Sequence, residues 1–159
     1  MPPTFKDENR ALQELARELA LFRKHNLQFK EGDSQGDLLM FAEAALTCLT
    51  MEHFVRVVLG PDATDRDTLP ALLQKAISRG LVRLPWDDQA QGIEAVRKIR
   101  NTLLHGNYAQ AAREAGCTSV RDYFRTQFAS EIEGMFKITD FIMGQIDPTT
   151  GKPRGTSAR

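Results

Sequence analysis

The chain is 159 residues long, with 21 basic and 21 acidic side chains and a formal net charge of zero. That length buries a core as one domain without disulfide or metal staples. Hydrophobic residues at 42% and charged residues at 26% are ordinary for a globular chain. Even charge argues against a general, salt-driven coat for DNA or anionic membrane, while leaving room for a local basic patch.

Two cysteines, Cys48 and Cys117, are too few for a disulfide framework; Cys48 reads as core and Cys117 follows a glycine in a turn. The opening Met1-Pro2-Pro3-Thr4-Phe5-Lys6-Asp7 is charged where a secretory signal is apolar. The longest apolar stretch, Leu38 to Met51, holds Glu43 and is too short to span a bilayer. A cytoplasmic location with no membrane partner is therefore expected.

Apolar residues recur at a spacing of about 3.6, and no alternating strand pattern stands out. The first helix is expected from Asp7 to His25, with Leu12, Leu15, Ala16, Leu19 and Phe22 in one stripe. Lys30 to Gly36 is rich in breakers and reads as a loop. A second helix, Asp37 to Leu59, is apolar almost all round, which suits a central position, and Gly60-Pro61 ends it. Asp62, Asp65 and Asp67 follow in an acidic loop that lacks the glycine turn and closing glutamate of a calcium-binding EF-hand, so it reads as solvated.

A shorter third helix has Pro70 in its first turn and Gly80 just past its end. Leu81 to Pro85 is a short extended connection, with Trp86 placed to pin it. Asp87 or Asp88 can cap a fourth helix carrying Ile93, Val96, Ile99, Leu103 and Leu104. Ala109 to Glu114 continues or restarts it, and Gly116 stops it. A last helix is expected from Ser119 to Ile146, with Tyr123, Phe124, Phe128, Ile132, Met135, Phe136 and Ile142 at its apolar positions. The sum is an all-α bundle of four long helices plus one or two short ones over residues 1–147. Residues 148–159, rich in Gly, Pro, Ser and Thr, are expected to form a disordered tail.

Two common site patterns are missing from the sequence: there is no Cys-x-x-Cys pair and no Glu-x-x-His pair. Gly151-Lys152-Pro153 has the wrong upstream spacing for a phosphate-binding loop. His25 falls near a helix end, where a cation suits the helix dipole, and His53 falls within the most apolar helix. With His105 they are the only histidines, so neither a metal site nor a bound cofactor is expected.

The informative stretch is Arg97-Lys98-Ile99-Arg100-Asn101-Thr102-Leu103-Leu104-His105-Gly106-Asn107-Tyr108. At about 100° per residue, Asn101, His105 and Tyr108 share one helix face with Glu94 and Arg97, while Val96, Ile99 and Leu103 point to the core. Arg100 stands about 140° from His105, on the shoulder beside Leu104. Arg100 reaches a site shared with His105 by wrapping around the helix or by crossing to another chain. That geometry favours a composite site at an interface.

Arg100-Asn101-x-x-x-His105 resembles the Arg-x4-6-His signature of the HEPN superfamily, in which a polar residue, often Asn, follows the arginine. The resemblance implies a HEPN-like helical bundle, homodimeric, with two copies of the motif meeting in one cleft. It also implies a metal-independent endoribonuclease in a toxin, stress or phage-defence role, with Arg100, Asn101 and His105 as the catalytic set and RNA as the substrate. An antitoxin or nucleotidyltransferase is the implied partner. A non-catalytic HEPN-like module that binds a nucleotide or a partner is the alternative.

The chemistry of those residues suits the assignment. A histidine with a reference pKa of about 6.5 takes a proton from a ribose 2′-OH and returns one to the leaving oxygen. Arg100 holds the scissile phosphate and offsets developing charge, and Asn101 orients the imidazole or the phosphate. Arg97 and Lys98 add positive charge for an RNA backbone or form a solvated helix face. Tyr108 stacks on a base or packs; it lies one residue further from the histidine than the tyrosine that is adenylylated in HEPN toxins. Glu52 and Arg56 are spaced for a helix ion pair, and either is placed to brace Arg100.

Overall fold

The computed structural model describes residues 10, 13–14, 16–17, 19–21, 34–104 and 108–155. All described positions between 10 and 21 are helical (α1), with Leu19 fully buried and Ala16 packed on the core. Leu12, Leu15, Phe22 and His25 lie outside the described residues, as do residues 30–33 of the expected loop. Ser34 to Gly36, expected in that loop, are already helical. The second helix, α2, spans Ser34–Leu59, so it starts three residues before Asp37.

α2 is the central element, packed chiefly on the last long helix and on α3 (Leu69–Ser78). Its apolar composition explains that place: Ala44, Cys48, Met51, Phe54, Val55, Val57 and Leu59 are all buried. Two buried threonines spend their hydroxyls inside the helix, Thr47 Oγ1 donating to the Glu43 carbonyl and Thr50 Oγ1 to that of Leu46, each at 2.7 Å. A 3-10 turn, Gly60–Asp62, closes α2 with Pro61 inside it.

The acidic loop is bound by the chain's own cations. Arg56 donates to the Thr64 and Asp67 carbonyls at 2.8 and 2.9 Å. Lys75 reaches the Asp67 carboxylate at 2.6 Å, and Arg79 pairs with Asp62. With the Thr64 amide also on its carboxylate, Asp67 is held down at about 2, the Lys75 bond being the main cause. Asp65 stays exposed.

α3 ends as expected, with Gly80 at φ +68° letting the chain turn where an L side chain is strained. Residues 82–84 carry no regular secondary structure, and Val82 and Leu84 are buried. The helix α4 (Gln89–Leu104) is capped by Asp88, whose Oδ1 accepts from the amides of Ala90 and Gln91 at 3.0 and 3.3 Å. Trp86 does pin the connection. A Cβ on Gly92 would stand 3.0 Å from the indole and 3.1 Å from Leu84, so a larger residue here would make both neighbours give by a few tenths of an ångström. Of the expected apolar set, Val96 and Leu103 are buried and Ile93 and Ile99 pack at the edge, but Leu104 is 40% exposed.

After α4, α5 spans Tyr108–Glu114 and α6 spans Val120–Tyr123, the latter capped by Ser119 Oγ accepting from the Asp122 amide at 3.0 Å. The expected single last helix is interrupted by a π-helical segment, Phe124–Phe128, before α7 (Ala129–Met143). The described residues hold no strand, only an isolated antiparallel bridge between Ile146 and Pro153. That bridge corrects the expected disordered tail for its first part. Asp147 N donates to the Lys152 carbonyl and Gly151 N to that of Asp147, each at 2.8 Å, and Arg154 N donates to the Gln145 carbonyl at 2.7 Å. The segment folds back because its turn satisfies its own backbone groups, which composition alone does not reveal. The architecture is the all-α helical bundle that the periodicity predicts.

Candidate functional site

α4 carries most of the motif, and its faces divide the residues as helical geometry requires. Val96 and Leu103 point into the core. Arg97 and Lys98 are exposed, and Arg97 is already engaged. Its Nε and Nη2 donate to the two oxygens of Glu94 at 2.8 and 2.5 Å. The bidentate fork lowers the Glu94 carboxyl and raises the Arg97 guanidinium. This is the solvated ion pair of an outer helix face, and it takes from an incoming phosphate one of the two expected backbone contacts.

Arg100 and Asn101 are half-buried, and no side-chain hydrogen bond ties either to another described residue. Arg100 lies on the shoulder facing α2, near enough to Cys48 for its charge to act on the thiol. Burial pushes that thiol up to about 12, Arg100 opposes the shift and Glu52 adds to it. Cys48 is thus a neutral core thiol at physiological pH. Neither helix's periodicity signals the approach, because the register between two helices is written in neither one alone.

Glu52 does not brace Arg100 through its paired oxygen. Its Oε1 accepts from Arg56 Nε and Nη2 at 3.2 and 3.1 Å within α2, the ordinary i, i+4 pair. His53, on the next position of α2, is half-buried. His105, the third member of the expected catalytic set, lies outside the described residues, with Gly106 and Asn107.

Tyr108 packs. Its ring lies 5.4 Å from Phe41, 5.0 Å from Phe124 and 5.5 Å from Phe128, centroid to centroid, within the range of favourable aromatic contacts. Its hydroxyl donates to the Leu103 carbonyl at 2.9 Å, satisfying one of the carbonyls that a helix C-terminus leaves open. Burial raises its pKa. A ring flanked on several sides by aromatics does not offer a face for a base, so of the two expected roles the structure gives packing. By closing α4 from the first position of α5, Tyr108 also fixes where the chain re-enters the bundle after the motif.

No family model, no curated protein and no solved structure matches this chain.

Proposed function

We propose that the protein is a metal-independent endoribonuclease of HEPN type, acting as a cytoplasmic homodimer in a toxin, stress or phage-defence role. The observation that carries the reading is the sequence Arg100-Asn101-x-x-x-His105, whose Arg100 and Asn101 lie toward the C-terminal end of α4 in a helical bundle and are tied to no other described side chain. Arg100 would bind the scissile phosphate, and His105 would take the 2′-OH proton and protonate the leaving 5′-oxygen. Asn101 would orient one of them. Intramolecular attack leaves a 2′,3′-cyclic phosphate on one fragment and a 5′-hydroxyl on the other, so DNA is not a substrate.

The test is cleavage of a labelled RNA panel in chelator by wild type, Arg100→Ala and His105→Ala, with the product ends analysed. Cyclic-phosphate ends, with rates lowered at least about a hundredfold in both variants, are expected. Equal cleavage by wild type and His105→Ala, or an inert wild-type dimer, overturns the reading. A second reading, a non-catalytic module that binds a nucleotide or a partner, draws on Arg97 being held by Glu94 and Tyr108 by its aromatic neighbours. Lys98 is then the one flanking residue of the expected three still open to a substrate. That reading expects Arg100-dependent binding without RNA turnover.

A further inference from the structure

At the other end of α4 an open cleft of about 710 Å³ lies between the turn after α3 and the folded-back C-terminal segment. Its apolar lining comes from Ile77, Leu81, Val82 and Pro153, and its charged lining from Arg83 and Arg154. Among the described residues no carboxylate lines it. In a chain with zero net charge, two arginines lining one concavity form a local excess of positive charge. Arg83 is steadied by Phe141, whose ring centroid lies 5.6 Å from its guanidinium carbon. Asp147 lies near enough for Arg154 to lower its pKa, but the Asp147 carboxylate is turned to the Thr149 amide at 2.8 Å.

The walls are held by two glutamines whose amides are already spent. Gln89 accepts from the Leu84 amide at 2.7 Å and donates to the carbonyls of Leu84 and Trp86. Gln145 accepts from the Arg83 amide at 2.8 Å and donates to the Arg83 carbonyl at 2.8 Å, bridging the connection after α3 to the end of α7. These bonds fix the cleft in advance, so binding orders little. Arg83 and Arg154, both exposed, are the charged residues among the described residues that line the cleft.

We propose that this cleft is a binding site for a phosphate monoester with an apolar or aromatic body. Two planar forks carrying two positive charges match a dianionic phosphate, where one would serve a carboxylate. The apolar floor takes the body, as in small-molecule sites generally. The site is distinct from the motif: Gln89 and Arg100 stand about 16 Å apart along α4 at 1.5 Å per residue. The proposal does not depend on ribonuclease activity.

The experiment is calorimetric titration of the full chain with phenyl phosphate, inorganic phosphate and benzoate, with amide shifts at Gly80, Leu81 and Gly155 locating the site. Phenyl phosphate should bind at least about tenfold more tightly than either control, and Arg83→Gln and Arg154→Gln should each weaken it about tenfold. Both variants should fold, because the clamp and the bridge use the backbone of residues 83 and 154. Inorganic phosphate or benzoate binding as tightly as phenyl phosphate, or silence of both arginine variants, would each overturn the proposal.

Discussion

The two ends of α4 use polar side chains in opposite ways. Around its N-terminus, several polar side chains are consumed by the protein, and Arg83 and Arg154 stay exposed beside them. Asp88 caps the helix, Gln89 ties residues 84 and 86, and close by in sequence Lys75 and Arg79 hold the acidic loop. Toward its C-terminus, Arg100 and Asn101 are half-buried and tied to no other described side chain, and Leu104 is left exposed. Bonds that satisfy buried backbone add stability, whereas half-exposed side chains with no bond to another described side chain add little and are where chemistry can be placed.

That contrast makes a prediction about stability, the larger effect being at the N-terminal end. Gln89→Ala removes three hydrogen bonds and strands the amide and carbonyl of Leu84, which has no exposed surface of its own. A loss of about 2–3 kcal/mol in unfolding free energy is expected from urea titration. Asn101→Ala should change it by less than about 0.5 kcal/mol. Equal losses at the two positions would erase the distinction between the two ends.

Next in size is Tyr108→Phe. The ring and its aromatic contacts stay, and only the bond to the Leu103 carbonyl goes, so a loss of about 1 kcal/mol is expected. If the ribonuclease reading holds, this variant should keep RNA cleavage within about threefold, because its hydroxyl closes a helix and touches no phosphate. A hundredfold loss of cleavage with stability intact would instead move Tyr108 into the site.

How much of this was legible in the sequence differs by kind of signal. Local punctuation read well. Gly80, Gly116, Pro70, Asp88 and Ser119 mark their helix ends because capping and positive φ are decided within a few residues. The π-helical turn did not, since Phe124-Arg125-Thr126-Gln127-Phe128 holds no glycine or proline and keeps the helical spacing of its aromatics. Gln145 reaches across 62 residues to Arg83, a pairing no local pattern announces. The same bond helps explain the ordered segment that composition assigned to a flexible tail. The motif itself was visible as a pattern. What it faces was not, because the approach of Arg100 to Cys48 and Glu52 depends on the register between α2 and α4.

The finest test of the consumed end is its response to acid. Asp67 has its folded pKa held at about 2, below the ordinary carboxylate range, chiefly by the Lys75 bond and then by the Thr64 amide. A depressed carboxyl stabilises the fold fully above its unfolded value of about 3.9, and that contribution fades as the pH falls through the folded value. Asp67→Asn, which keeps the shape and drops the charge, should therefore be less stable than wild type at pH 6. The gap should begin to close below about pH 4 and be gone near pH 2. Other depressed carboxyls, Glu94 and Asp147 among them, titrate alike in both proteins and cancel in the difference. A gap that stays constant from pH 6 to pH 2 would mean that Lys75 holds the loop by packing its stem, with the ion pair contributing nothing that titrates.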